Sequence, residues 1–241
     1  EQTALITGAS KRVGKSLAEH LAAGGWNIII HFNTSEKPAI ELEEELKSKY
    51  AGQRFYRIQT NLADEKEVVE LIPRAVRNFG KFQLLVNNAS VFDPGYITET
   101  SPELFNTQLD VNLKAPFILT RDFANFCGEG NIINFTDTRV TVNKSNFAAY
   151  SLSKKGLWDL TKMAALELAP RIRVNSIAPG VTLPPEDKGE AYLQELAKGI
   201  PMKKPGGLGP ILRSLDFILE NDHLTGQHLF ADGGENLGQN V

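Results

Sequence analysis

The sequence is defined first by what it has little of. It carries one cysteine, Cys127, so no intrachain disulfide can form and nothing requires an oxidising compartment. The four histidines, His20, His31, His223 and His228, lack zinc-like spacing, and no ligand cluster surrounds the cysteine, so no metal is expected. There is no basic surplus: 26 Lys and Arg stand against 29 Asp and Glu, a formal net charge of −3, which argues against sequence-independent nucleic-acid binding. No apolar run reaches the roughly 18 residues of a membrane span. The chain opens at Glu1 and enters an apolar stretch at once, which leaves a trimmed leader open. With 41% apolar and 23% charged residues in 241, the chain can fill a substantial core and is too weakly charged for disorder. A soluble, cytoplasmic, globular protein with no nucleic-acid or membrane partner is expected.

Short apolar runs alternate with longer amphipathic ones. Strands are expected at Thr3–Thr7, Asn27–Phe32, Phe55–Gln59, Leu84–Asn87, Asn131–Thr136, Arg173–Ile177 and His228–Ala231. Helices are expected at Val13–Ala23, Pro38–Tyr50, Glu65–Asn78, Ser101–Phe126, Ala149–Leu168 and Gly209–Glu220. Such alternation favours an α/β fold: a doubly wound parallel sheet with helices on both faces. One stretch, Pro179 to Gly209, is rich in proline and holds one short helix at Glu190–Lys198. It reads as a substrate lid over about 181–209, or else as a surface excursion without a role.

The first strand leads into Thr7-Gly8-Ala9-Ser10-Lys11-Arg12-Val13-Gly14, where a glycine turn meets a helix start and backbone N–H groups favour a phosphate. This is not G-x-G-x-x-G, and alone it is weak. At the end of the second strand an acid would hold a ribose diol and exclude a 2′-phosphate. Here His31-Phe32-Asn33-Thr34-Ser35 offers donors and no acid, with Lys11 and Arg12 nearby, so NADP(H) is favoured over NAD(H).

Tyr150-Ser151-Leu152-Ser153-Lys154 places a phenol and an ammonium on one helix face. A free tyrosine titrates near 10, and a neighbouring lysine cation is expected to lower that value into a working range. The pair alone occurs by chance in many helices.

Its context is specific. The phosphate turn, Asn87-Asn88-Ala89-Ser90 after the fourth strand, Asn112, Tyr150/Lys154 and Pro179-Gly180 occur in order. Together they resemble the short-chain dehydrogenase/reductase family across essentially the whole chain. The resemblance implies one Rossmann-like domain over 1–241, a nicotinamide cofactor and hydride transfer. It implies that Tyr150 is the proton donor, that Lys154 binds ribose and tunes the tyrosine, and that Asn112 holds a water in the proton relay. Gly8, Val13 and Gly14 then cradle phosphate, Asn88 and Ala89 line the cofactor, and Asn61-Leu62 sit by the adenine. Pro179 and Gly180, with Val181 and Thr182 beyond, border the nicotinamide. The family usually has an acid where Asn61 stands.

Two departures narrow the function. The family usually has a serine thirteen residues before the tyrosine, and this chain has Asp137 there, in Asn134-Phe135-Thr136-Asp137-Thr138. An ionised carboxylate repels a developing alkoxide; two unit charges at 4 Å and an effective dielectric of 20 interact by about 4 kcal/mol, an upper scale. It suits a substrate presenting N–H groups or a ring nitrogen that must gain a proton. The alternative is a one-residue slip, with Thr136 or Thr138 as the missing hydroxyl and Asp137 as a turn cap. The second departure is Arg12, at a turn position commonly held by glycine, which puts a fixed cation beside the phosphates.

With Phe92 after Asn-Asn-Ala-Ser, these features resemble the pteridine reductases, including bacterial dihydromonapterin reductase-like members. That resemblance implies a planar pterin between the nicotinamide and Phe92, with Ser90 and Arg12 touching both cofactor phosphate and pterin, and Thr182 and Leu183 at the pocket edge. The trypanosomatid pteridine reductases have an arginine where this chain has Thr34, so NADPH selectivity rests more on Lys11, Arg12 and Ser35. The expected reaction is reduction of a 7,8-dihydropteridine by NADPH, with oxidised pterin or dihydrofolate as further substrates. A carbonyl reductase acting on 3-oxoacyl thioesters and a non-catalytic NADP(H)-binding regulator are the competing readings. Family members usually form homotetramers through helices matching Ser101–Phe126 and Ala149–Leu168.

Overall fold

A computed structural model describes residues 2–185 and 187–238. Glu186, within the expected lid, and residues 1 and 239–241 of the expected single domain lie outside the described residues.

Seven strands form one sheet: β1 (Thr3–Ile6), β2 (Asn27–Phe32), β3 (Phe55–Gln59), β4 (Leu84–Asn87), β5 (Gly130–Phe135), β6 (Ile172–Pro179) and β7 (His228–Ala231). Their spatial order is β3-β2-β1-β4-β5-β6-β7, and every pairing is parallel. Strand side chains alternate between the faces. Ile6, Ile28, Ile30, Val86 and Ile133 point into one core, while Leu5, Ile29, Leu85, Ile132 and Val174 point into the other. That is why each strand reads as a nearly unbroken apolar run. Helices α1 (Arg12–Ala23), α2 (Glu36–Lys49) and α8 (Gly209–Glu220) cover the first face, through Leu17, Leu42 and Ile211 among others. Helices α3 (Glu65–Phe79) and α5 (Ala115–Phe126) cover the second through Leu71 and Phe123, and α6 (Ala148–Leu168) joins them. The expected doubly wound sheet is therefore present, with β2, β3, β4 and β7 at the expected bounds and β1, β5 and β6 shifted by one or two residues.

One expected element differs. Ser101–Phe126 is not a single regular helix but α4 (Pro102–Leu109), a π-helical turn at Asp110–Lys114, and α5. Ser101 caps α4 by accepting from the Leu104 amide at 3.2 Å, with Pro102 in the first turn. Farther along, Pro116 has no N–H to offer the carbonyl four residues back, and the helix widens just before it. Asn112 sits in that widened turn.

The sheet order changes direction between β1 and β4, so a crevice opens there beyond the strand C-termini. The segment between β6 and α8 carries α7 (Glu190–Ala197) and lies against the turn after β7. The Met202 amide donates to the Gly233 carbonyl at 3.1 Å, and the Gly206 amide to Val181 at 2.9 Å. Among the described residues no helix is long and apolar enough to cross a membrane, and no cluster of metal-ligating side chains occurs.

Candidate active site

The crevice has two hollows. The first, of about 400 Å³, lies at the β1–α1 turn. Gly8 adopts φ +64°, and a Cβ there would stand 3.1 Å from the Ala89 Cα. A Cβ at Gly14 would stand 2.1 Å from the Gly8 carbonyl oxygen. Only glycine permits both this turn and this close helix packing. The turn is tied to the β4 loop: the Thr7 hydroxyl accepts from the amides of Asn88 (2.9 Å) and Ala89 (3.0 Å), and the Asn88 side chain donates to the Thr7 carbonyl at 2.9 Å. His31 closes the floor. Its Nδ1 accepts from the Gly8 amide at 3.0 Å and its Nε2 faces the Thr60 carbonyl at 3.0 Å. That arrangement requires the neutral ring protonated on Nε2. Full burial pushes its pKa down to about 4, with the Arg74 charge adding to the effect.

Gly8, Lys11, Arg12, Val13 and Gly14 line this hollow from the turn. Asn33, Thr34 and Ser35 line it from the end of β2, Asn61 and Leu62 from the end of β3, and Asn88, Ala89 and Ser90 from the end of β4. Among the described residues no acid lines it, so a 2′-phosphate has donors and two cations to meet, and the residues present fit a dinucleotide phosphate. Ser10, His31, Phe32, Val91 and Val111 also line it. Of these, His31 is the informative omission: its role depends on a backbone contact 23 residues away, which leaves no local pattern.

The second hollow shares Arg12, Val13, Asn88 and Ser90 with the first and adds Phe92, Asp137, Tyr150, Lys154, Pro179, Gly180, Thr182 and Leu183. Arg12 sits at the boundary in a left-handed conformation, φ +52°. Its guanidinium donates to the carbonyls of Pro184 at 2.9 Å and Leu183 at 3.4 Å. Gly180 packs so tightly on the C-terminal turn that a Cβ would stand 2.6 Å from the Asp232 Cα. Val181 lines neither hollow.

The Tyr150 hydroxyl donates to Asp137 Oδ2 at 2.7 Å. Asp137 Oδ1 accepts from the Arg139 amide at 2.8 Å, capping the short 3-10 turn Thr138–Thr141. Asp137 thus faces the tyrosine and caps the turn at once, while Thr136 donates to the Ile177 carbonyl and Thr138 is buried. The Lys154 ammonium donates to the Phe135 carbonyl at 2.8 Å.

This corrects the expected acidification. The Tyr150 phenol is held well above its ordinary value, first by burial, then by the charge and hydrogen bond of Asp137. Arg139 and the Ser90 hydroxyl pull the other way. Lys154 is itself pushed down to about 8 by burial, with Asp137 opposing. Its amine lies 5.8 Å from the centre of the tyrosine ring, engaged with a carbonyl.

Asn112 also differs from its expected place. It is 1% exposed and lines neither hollow. Its Oδ1 accepts from the Val91 amide (2.9 Å) and the Ser90 hydroxyl (3.1 Å), and its Nδ2 donates to the Val91 carbonyl at 2.9 Å. The amide braces the loop carrying Ser90 and Phe92 and has no side-chain valence left for a water. Gln108, absent from the sequence reading, backs it: fully buried, it lies 3.2 Å from Asn112 and donates to Asp93 at 2.8 Å. Phe92 is 54% exposed, edge-on to Tyr150 at 4.6 Å and stacked on Phe147 at 4.2 Å with 3° between the rings.

Comparison with known proteins agrees with this geometry. Residues 2–191 match the short chain dehydrogenase family. A 3-oxoacyl-(acyl-carrier-protein) reductase, FabG of Staphylococcus epidermidis, is 32% identical over 243 residues, covering 97% of this chain and 98% of the relative. FolM alternative dihydrofolate reductase 1 from Brucella canis, solved in complex with NADP, superposes with a TM-score of 0.92 at 33% identity, covering 100% of this chain and 96% of that one. The Brucella suis protein, also with NADP, gives 0.93 at 32% identity, over 100% and 97%. A parallel seven-stranded sheet, a glycine turn at its switch point and a Tyr-x-x-x-Lys helix beside it thus coincide with a match over most of the sequence, and the chain belongs to the short-chain dehydrogenase family.

Proposed function

We propose that this chain is an NADPH-dependent pteridine reductase. The observation that carries the reading is the 2.7 Å bond from the Tyr150 hydroxyl to Asp137. A carboxylate occupies the place where a ketone reductase needs a neutral donor, and a nitrogen heterocycle is the substrate that benefits from it. The Brucella structures, named as alternative dihydrofolate reductases, support the same class.

NADPH, seated in the first hollow, supplies the hydride. Gly8, Gly14 and the amides at the start of α1 hold its diphosphate, with Lys11, Arg12, Asn33, Thr34 and Ser35 toward the 2′-phosphate and Asn61 and Leu62 toward the base. Pro179, Gly180 and Thr182 border the nicotinamide, and Lys154 leaves the Phe135 carbonyl to bind ribose. Phe92 stacks on the pterin, and Ser90, Arg12 and Leu183 complete the pocket. The carbon of a ring C=N bond accepts hydride and the adjacent nitrogen accepts a proton from Tyr150. Asp137 orients the ring, and the tyrosinate is reprotonated by a proton taken up from solvent and relayed through Asp137, so the net reaction consumes one proton and one NADPH per tetrahydropteridine. Segment 181–209 acts as the lid.

The test is NADPH oxidation with dihydrobiopterin, dihydromonapterin, dihydrofolate and an acetoacetyl thioester in parallel. Turnover of the dihydropteridines and little of the thioester is expected. The 32% identity to FabG favours the second reading, a 3-oxoacyl thioester reductase, which the opposite pattern would establish. Cofactor binding with no turnover of either kind would instead indicate a regulator.

A further inference from the structure

Arg139 is half-buried. Of the other half-buried arginines, Arg57 is paired with Glu43, while Arg74 and Arg173 donate to backbone carbonyls. Arg139 makes no salt bridge among the described residues; its guanidinium donates to the neutral Asn146 Oδ1 at 3.0 Å and lies 4.6 Å over the ring of Phe147. Phe147 in turn stacks on Phe92, the aromatic wall of the second hollow. A continuous column, Phe92–Phe147–Arg139, therefore runs from the reactive pocket to a cation. The backbone fixes its start, because the Arg139 amide is bonded to Asp137, itself bonded to Tyr150.

The local sequence is basic in an otherwise acidic chain. Between Asp137 and Asp159 the sequence contains Arg139, Lys144, Lys154 and Lys155 and no acid. Glu235 faces this region from the 3-10 turn Glu235–Leu237, which is tied down by the Thr141 hydroxyl donating to the Asn236 carbonyl at 2.8 Å. Burial, with the carboxylates of Asp137 and Asp232, pushes the Glu235 carboxyl up, while Lys144 and Arg139 pull it down.

An arginine with no salt bridge among the described residues, joined to the aromatic wall of the pocket through Phe147, is arranged to receive a planar or tetrahedral anion. We propose that Arg139 is a specificity-determining residue: it selects dihydropteridines whose side chain ends in a carboxylate or a phosphate over those with a neutral side chain. The ring stays in the pocket beside Tyr150, and the tail leaves past Phe92 to reach the guanidinium. The inference rests on the pteridine reading above.

The experiment compares kcat/KM for dihydrofolate (carboxylate tail), dihydroneopterin monophosphate (phosphate tail) and neutral dihydroneopterin in the full chain, Arg139→Gln and Arg139→Lys. The wild type should prefer at least one anionic substrate over the neutral one. R139Q should cut that preference roughly tenfold or more, mainly through KM, since a charge-assisted contact is lost. R139K should keep most of it, and added salt should erode it in the wild type. The two anionic arms tell which tail fits. The neutral substrate reports folding and chemistry in each variant. Equal wild-type kcat/KM for all three, or an R139Q preference equal to wild type, would overturn the role of Arg139 and leave the pteridine reading standing. Absence of turnover with all three pteridines in the wild type would remove the pteridine reading itself, and this inference with it.

Discussion

At the scale of single residues, Asp137 divides its two oxygens between structure and chemistry: one caps the turn that follows, the other accepts the hydrogen bond of the tyrosine hydroxyl. Asp137→Ser should therefore lower dihydropteridine turnover by about a hundredfold while NADPH affinity changes by less than about threefold. Steady-state kinetics and a fluorescence titration of NADPH separate the two. The same substitution removes one of the upward pulls on the Tyr150 phenol, so the phenol should titrate closer to its ordinary value. Dihydropteridine turnover equal to wild type would remove Asp137 from the chemistry. The Tyr150–Lys154 spacing and the aspartate thirteen residues before the tyrosine were legible as sequence. The engagement of Lys154 by the Phe135 carbonyl was not, because it joins residues 19 apart through the sheet. The expected acidification of the phenol reverses because burial, then Asp137, raise its pKa. Asn112 is likewise legible as a motif residue but not in its capacity, since its partners Ser90 and Val91 come from the loop after β4 and Gln108 from α4.

At the scale of elements, the β1–α1 turn is the most constrained piece of the site. Gly14→Ala forces a methyl group against the Gly8 carbonyl, where no flexible side chain can give way. The variant should lose about 1–3 kcal/mol of stability, or more if α1 cannot shift, by denaturant titration. Gly52→Ala, in a loop with no atom within 4 Å of the added Cβ, is the matched control and should stay near wild type. The helix–strand alternation made these elements readable, because the central strands are buried on both faces and each helix on one. The widened turn at Asp110–Lys114 escaped the reading. The apolar pattern continues through it, and Pro116, the visible cue, is also tolerated at a helix start.

At the scale of the whole molecule, stability should depend on pH through buried histidine. His31 joins β2 to the β1 turn and to the end of β3, and its native pKa of about 4 lies below the ordinary 6.5. The unfolded chain thus binds a proton that the folded chain resists. Its contribution is complete above pH 6.5 and is lost progressively as pH falls toward 4, by up to about 3 kcal/mol. Protonation would place a second N–H against the Gly8 amide, so the cost falls on the cofactor turn first. His228, also lowered to about 4 by burial, adds in the same direction. Urea titrations between pH 4.5 and 7 should show a steep fall for the wild type and a shallower one for His31→Asn. Equal slopes would assign the effect elsewhere.

The boundary between the two hollows has a last consequence. Arg12 belongs to both walls and, in the same conformation, holds the Leu183 and Pro184 carbonyls. An anion arriving on either side competes with those carbonyls for a single guanidinium. The affinities of the two chambers are therefore not independent quantities: whatever factor the first occupant imposes on the second, the second must impose on the first.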